Sequence, residues 1–307
     1  MKIAILGAGA MGSLFGGYLA LRGHDVSLID VNTDHISAIN ENGLRIEKDG
    51  DIELARPRAG RPKDFADAQE FLIVFTKGPH TSAALSSVLH LVDERTWVLT
   101  AQNGLGNAET IARYLPLDRI AIGTTSYAAN VISPGRISFP AGGSLRIWSA
   151  DGKRADAVDR LADAIAATGL DCKADPMVEG AIWEKVAFNA AINSLTAVLQ
   201  CPVGGLVDNP AGRALAETIV KEVADVASAR GVAFELARVH GLLDLSFAHH
   251  REHMPSMLCD VLAGRETEIE NINGAVVAEA RRLGLEARAT ETLLQLVRLS
   301  NRRPVIA

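Results

Sequence analysis

The hexapeptide Gly7-Ala8-Gly9-Ala10-Met11-Gly12 directly follows the apolar run Ile3-Ala4-Ile5-Leu6 and opens a helix-forming stretch. A G-x-G-x-x-G placed between strand and helix is the phosphate-binding turn of a dinucleotide-binding βαβ unit. Gly7 permits the tight turn, Gly9 lets the backbone approach a pyrophosphate, and Gly12 allows helix and strand to pack closely. The backbone N–H groups of these six residues, Ala8, Ala10 and Met11 included, then meet the phosphate charge at the helix start. Asp30 ends the second apolar run, Val26-Ser27-Leu28-Ile29, eighteen positions beyond Gly12. A carboxylate there accepts hydrogen bonds from ribose hydroxyls and repels a 2′-phosphate, so the expected preference is NAD over NADP. The plainer alternative for Asp30 is a solvated carboxylate at a strand end. The run from Lys2 to Leu21 also has the look of a secretory signal, but glycines at this spacing favour strand, turn and helix.

A chain of 307 residues is long for a single core, so two domains are expected. From Lys2 to about Cys172, short apolar runs alternate with helix-period stretches, as in a Rossmann α/β domain with a mainly parallel sheet. Phe71-Leu72-Ile73-Val74-Phe75, Trp97-Val98-Leu99-Thr100 and Ile120-Ala121-Ile122 continue the strand series. Leu44 to Leu54 reads as a hairpin turned at Asp49-Gly50, and Ser133-Pro134-Gly135 and Gly142-Gly143 suggest antiparallel strands at the sheet edge. After Asp175-Pro176 the pattern turns all-helical. The expected division is a dinucleotide-binding domain over 1–174 and an all-α substrate or dimerisation domain over 175–307.

A net charge of −6 gives no reason to approach a nucleic-acid backbone or an anionic bilayer, and neither partner is expected. No run is read as a membrane span. Cys172, Cys201 and Cys259 are odd in number and form no CxxC pair, so neither a disulfide framework nor a zinc site is expected, and a reducing cytoplasm fits. His249, His250 and His253 lack zinc-like partners and read as loop or helix-surface residues, leaving no metal expected. A homodimer is the default only because two-fold dimers are the commonest oligomers.

Three polar groupings stand out. Lys185, Asn189 and Asn193 recur at i, i+4 and i+8 in Trp183-Glu184-Lys185-Val186-Ala187-Phe188-Asn189, continued to Asn193, and so form one stripe on an apolar helix. Such a stripe either pairs inside the core or faces a wet cleft. Ser256 precedes a polar stretch from Gly264 to Gly274, read as a helix on which Glu268 and Asn271 share a face while Glu266 and Glu270 meet solvent. Gln102-Asn103-Gly104 and Thr76-Lys77-Gly78 each follow a strand, and the carboxyl ends of strands are where ligands collect in an open α/β sheet.

Together these segments resemble the ketopantoate reductase family over essentially the whole chain. The resemblance rests on the GAGAMG turn, Lys77, the Gln102-Asn103-Gly104 loop, the Gly123-Thr124-Thr125 strand end, the Trp183/Lys185/Asn189/Asn193 helix, and Ser256-Met257 with Thr267-Glu268-Ile269-Glu270 and Asn273-Gly274. It implies reduction of a small 2-keto acid by NAD(P)H, with Lys185 as the general acid and Glu268 positioning the substrate hydroxyl and the lysine. It also implies that Asn103, Asn189, Asn193 and Ser256 orient substrate and that Lys77 and Asn103 lie at the cofactor. Hydride delivery to a carbonyl builds negative charge on oxygen, which a proton-donating cation stabilises. Burial should lower the Lys185 pKa, and Glu268 nearby would oppose this. Three positions depart from the family pattern: Asp30-Val31 replaces a basic residue that holds an NADP phosphate, Val203 a frequent asparagine, and Tyr127 a frequent histidine. The first favours NADH; the others leave open a D-2-hydroxyacid or mandelate dehydrogenase of the same family. A dinucleotide sensor without turnover is the non-enzymatic alternative, disfavoured because a sensor has no need of a proton donor.

Overall fold

The computed structural model describes residues 1–300. Its strands are β1 (Lys2–Leu6), β2 (Asp25–Ile29), β3 (Leu44–Lys48), β4 (Asp51–Ala55), β5 (Arg58–Gly60), β6 (Phe71–Val74), β7 (Trp97–Thr100), β8 (Ile120–Thr125), β9 (Asn130–Ser133), β10 (Arg136–Phe139), β11 (Leu145–Ser149) and β12 (Cys172–Ala174). Eight of them form the main sheet in the order β12-β11-β8-β7-β6-β1-β2-β5. From β5 through β8 every pairing is parallel. Helices α1 (Ala10–Leu21), α2 (Thr33–Asn42), α3 (Thr81–Ser87), α4 (Asn107–Ile111) and α5 (Asp156–Ala166) accompany this sheet.

The strand runs are apolar throughout because both faces are covered. Ile3 and Ile5 of β1 pack with Leu14, Phe15 and Leu19 of α1 and Leu161 and Ile165 of α5. Ala4 and Leu6, pointing the other way, pack with Leu85, Val88, Leu91 and Ile111. The sheet reverses its winding at β1, which pairs with β2 on one side and β6 on the other. Carboxyl strand ends at such a switch point form a natural ligand crevice.

The Leu44–Lys48/Asp51–Ala55 hairpin is present, with positive φ at both Asp49 and Gly50 as a two-residue turn requires. Its sheet is a separate one, ordered β4-β3-β10-β9. The stretch around Ser133-Pro134-Gly135, expected at the main sheet's edge, instead turns β9 into β10, and β10 runs parallel to β3. Burial decides this placement: Ile137 and Phe139 join Leu44, Ile46 and Tyr18 in the core, with Phe139 edge-on to Tyr18 at 5.7 Å. The main sheet's edge is taken by β11, antiparallel to β8, and β12.

The remaining elements are helical: α6 (Val178–Leu199), α7 (Val203–Val207), α8 (Pro210–Ala229), α9 (Leu236–His249), α10 (Ser256–Leu262), α11 (Ala275–Arg282) and α12 (Arg288–Ser300). They enclose their own core, built from Val186, Ile192, Ile219, Val223, Val276 and Leu293 among others. Contacts divide the chain into two compact units, Met1–Gln102 with Asn107–Val178, and Asn103–Gly106 with Glu179 onward. The division falls slightly beyond Asp175-Pro176, and the short Asn103–Gly106 loop groups with the helices. No helix among the described residues is long and apolar enough to cross a membrane.

Candidate active site

In the sheet unit, the glycine turn is fixed by sterics and backbone bonds. Gly7 has φ +97°, and a Cβ there would lie 2.7 Å from the Thr76 nitrogen; its N–H donates to the Ile29 carbonyl at 2.8 Å. A Cβ on Gly12 would fall 1.9 Å from the Gly7 oxygen, whereas Gly9 faces open space. No side chain caps the start of α1, and its first turn carries no acidic residue. Helix-start N–H groups that lack intrahelical partners thus stand beside bare backbone at Gly9, which suits a pyrophosphate.

Asp30 is turned toward this loop. One carboxylate oxygen accepts from the Ala8 N–H at 2.6 Å, and the other from the N–H groups of Val31 and Asn32 at 2.7 and 2.8 Å. A carboxylate has about four acceptor sites, so one is left for a ribose hydroxyl. A second tie to the turn escaped sequence reading. Buried His35 accepts the Gly135 N–H at Nδ1 and meets the Ser13 hydroxyl through Nε2 at 3.1 Å, while Ser13 donates to the Ala8 carbonyl. Burial lowers the His35 pKa, with Asp30 partly opposing. The signal for this network was slight: one histidine and one serine in otherwise ordinary helices. Lys77 is half-buried just past Thr76, whose carbonyl accepts from the Gln102 amide; Gln102 is also bonded to Thr81 and Thr100.

In the helical unit, Lys185, Asn189 and Asn193 lie along α6, with the two asparagines buried to 7% and 6% exposure. Neither asparagine side chain makes a hydrogen bond to another described residue, and neither is among the fully enclosed unpaired polar atoms. Their amides therefore reach solvent from a largely buried face, the wet-cleft alternative. Burial pulls the Lys185 pKa down to about 8, against the charge of Glu268, which raises it. The Asn103 amide donates to Glu268 Oε2 at 3.0 Å, which joins Asn103, Glu268 and Lys185 in one grouping. Ser256 begins α10 with an exposed side chain that forms no hydrogen bond to a described residue.

The stretch from Gly264 to Gly274 is not the continuous helix expected. The Arg265 guanidinium turns back onto Asp260 at 2.9 Å, residues 265–269 form a loop carrying Glu268, and Glu270–Gly274 winds as a π-helical turn. Within it the Gly274 N–H reaches the Ile269 carbonyl five residues back. Glu266 and Glu270 are exposed as expected, the latter paired with Arg298. Glu184, next to Lys185 but directed elsewhere, accepts from the Glu235 N–H and from Arg238, tying α6 to α9. Among the described residues, no group of three or more His, Cys, Asp or Glu side chains is arranged to hold a metal.

Two of the three departures, Tyr127 and Val203, make packing contacts. The Tyr127 ring packs edge-on against Phe15 at 5.7 Å, and its hydroxyl accepts the Asp171 N–H at 2.6 Å. Val203 is 0% exposed in the helical core.

Comparisons with known proteins agree across the chain. The model described as "Ketopantoate reductase PanE/ApbA" matches residues 3–152, and that described as "Ketopantoate reductase PanE/ApbA C terminal" matches residues 177–301. A 2-dehydropantoate 2-reductase of Halobacterium salinarum is 34% identical over 98% of this chain and 99% of its own. A D-mandelate dehydrogenase solved with NADH and anilino(oxo)acetate superposes with a TM-score of 0.92 at 30% identity, covering 98% of each chain. A 2-dehydropantoate 2-reductase structure from Geobacter metallireducens gives a TM-score of 0.91 at 30% identity, over 98% of this chain and all of the other. With both halves matched in order and relatives aligned nearly end to end, the chain belongs to the ketopantoate reductase family.

Proposed function

We propose that this protein reduces a small 2-keto acid to the corresponding 2-hydroxy acid, with ketopantoate as the first substrate to test and NADH as the favoured donor. The observation that carries the reading is the Lys185, Glu268 and Asn103 grouping beside two asparagine amides that reach solvent from an otherwise buried helix face. Residues 1–174 are assigned to dinucleotide binding and residues 175–307 to substrate, with Gly7 to Gly12, Asp30 and Lys77 as the cofactor contacts.

A bound nicotinamide dinucleotide supplies the hydride. The protein's own task is to hold the 2-keto acid and neutralise the charge that develops on its keto oxygen. A lysine near pKa 8 remains largely protonated at neutral pH yet gives up its proton more readily than a solvated one, which suits Lys185 as general acid. Glu268, oriented by the Asn103 amide, keeps the ammonium charged and accepts a hydroxyl hydrogen bond from the substrate. Asn189 and Asn193 supply donors for the substrate carboxylate, and Ser256, exposed and without a protein hydrogen bond, is assigned to orient the substrate with them. Asp30, with one acceptor site left after its three backbone bonds, matches a ribose better than a 2′-phosphate.

The second reading is a D-2-hydroxyacid dehydrogenase acting on a branched or aromatic keto acid. It is favoured by the likeness to the D-mandelate dehydrogenase solved with NADH. The departures at Val203 and Tyr127, which replace polar residues frequent in the family, are consistent with it. Initial rates of NADH and NADPH oxidation with ketopantoate and a panel of branched and aromatic 2-keto acids separate the two. Fastest turnover of ketopantoate supports a place in pantothenate biosynthesis, and preference for a phenyl-substituted keto acid moves the chain to the second reading. Absence of turnover with every keto acid, despite dinucleotide binding, would support a sensor. The three free cysteines accord with a reducing cytoplasm, and a homodimer is to be tested by light scattering.

A further inference from the structure

The π-helical turn Glu270–Gly274 holds two asparagines, two positions apart and hence on opposite sides of the turn. Asn271 serves the Asn103 loop: its carbonyl accepts the Leu105 N–H at 2.7 Å, and its amide donates to the Leu105 carbonyl at 3.3 Å. The approach is so close that a Cβ on Gly104 would lie 2.2 Å from the Asn271 oxygen. Asn273 serves α6. Its Oδ1 accepts from the Ser194 hydroxyl at 2.8 Å, and its Nδ2 donates to the Ala190 carbonyl at 3.2 Å. Both Asn273 and Ser194 are fully buried. Their anchor points, Ala190 and Ser194, directly follow Asn189 and Asn193 in the sequence. Glu268 precedes the turn and begins its bonding, accepting the N–H groups of Asn271 and Ile272 on its carbonyl.

We propose that Asn273 and Ser194 are positioning residues, fixing the π-helical turn against α6 so that the Glu268 carboxylate keeps its register with Lys185. The inference rests on the catalytic reading given above. A buried polar lock specifies one docking of two elements, because slippage would leave its donors and acceptors unpaired in a low dielectric. The lock replaces no substrate contact and touches no reacting atom; it acts through Glu268. π-Turns recur at functional sites, and here the irregular turn puts one asparagine toward each element that carries a polar site residue.

The test uses the full chain with the Ser194→Ala, Ser194→Thr, Asn273→Asp and Lys185→Ala variants. Measurements are NADH affinity, kcat and KM separately, melting temperature and the pH profile of kcat/KM. Ser194→Ala should bind NADH as the parent does while kcat falls roughly tenfold, as expected for sub-ångström misplacement of a catalytic constellation. Its basic limb should move to lower pH, because a displaced Glu268 supports the ammonium less. Ser194→Thr restores the hydroxyl beside the adaptable Met257 and should recover both kcat and the limb. A lowered melting temperature with kcat and pH profile unchanged in Ser194→Ala overturns the proposal, as does failure of Ser194→Thr to recover them. Asn273→Asp should repeat the effect by setting an oxygen against the Ala190 carbonyl; if that chain does not fold, Ser194→Ala alone decides. Retained turnover in Lys185→Ala would instead remove the catalytic reading, whereas an inactive Lys185→Ala beside a normal Ser194→Ala removes only the positioning inference.

Discussion

The pH dependence of catalysis follows directly from the surroundings of Lys185. An ordinary lysine titrates at 10.5, and burial brings this one to about 8, with Glu268 limiting the fall. A general acid must carry its proton, so kcat/KM should be level below this value and decline above it. Between pH 7 and pH 9 the protonated fraction drops from about nine-tenths to about one-tenth, and kcat/KM should drop about tenfold with it. Replacing Glu268 by Gln removes the charge that holds the lysine up, and the limb should move down by about one pH unit because burial then acts unopposed. The assay is steady-state oxidation of NADH across pH 6 to 10 at subsaturating keto acid, with NADH affinity measured at each pH so that cofactor binding is excluded as the titrating step. A limb near 10.5 in the parent would show a solvated lysine, and a limb unmoved in Glu268→Gln would show that the two groups do not communicate. Either result refutes the assignment of acid and partner. Lys185→Ala should lose at least about a hundredfold in kcat, the usual scale for removing a general acid, with NADH affinity unchanged.

Other outcomes are equally definite. Gly12→Ala sets a Cβ 1.9 Å from the Gly7 oxygen, and an overpacking strain of about 1–3 kcal/mol should weaken NADH binding by up to roughly a hundredfold in a fluorescence titration. Asp30→Asn keeps an acceptor but removes the charge, and the ratio of NADH to NADPH affinities should fall by about tenfold; an unchanged ratio would place cofactor choice on another residue. Glu184→Ala strips the Glu235 N–H and Arg238 of their acceptor, and urea unfolding should show a loss of about 1–2 kcal/mol, limited by the exposure of Arg238. His35 is neutral when folded because burial lowers its pKa from 6.5. Its contribution to stability is therefore whole above pH 6.5 and drains as acidity approaches the lowered folded value, where the unfolded chain already holds the proton. The slope of stability against pH in that window should be shallower in His35→Gln.

What could be read in advance divides along a physical line between local and long-range determinants. The glycine turn and the strand runs were legible because their causes are local: a backbone that admits no Cβ at Gly12, and apolar continuity over β1, β2, β6 and β7. The stripe of Lys185, Asn189 and Asn193 was legible for the same reason, since one helical period places all three on a face. The Asp49-Gly50 turn showed a hairpin but not the sheet it joins, because β3 meets β10 across some ninety residues and the decision lies in the burial of Ile137 and Phe139. β5 left no trace, being three residues of mixed character that pair only because β2 offers an edge. The Gly264–Gly274 stretch misled for a related reason. Its composition suits a helix, but Asp260 draws Arg265 back and Ser194 and Asn273 hold the π-turn from a distant helix. Polar residues that bond to distant elements look the same in sequence as those that face water. The distinction lies in burial: Asn189 and Asn193 reach solvent without a protein partner, whereas Asn273 is fully enclosed and paired twice. A buried asparagine with both ends bonded is a structural tie, and one with its amide open on a buried face is, under the proposed function, a substrate contact. The separation makes Asn189 the sharper test of substrate contact: Asn189→Ala should raise KM for the keto acid without lowering the melting temperature, because no protein hydrogen bond is lost with it.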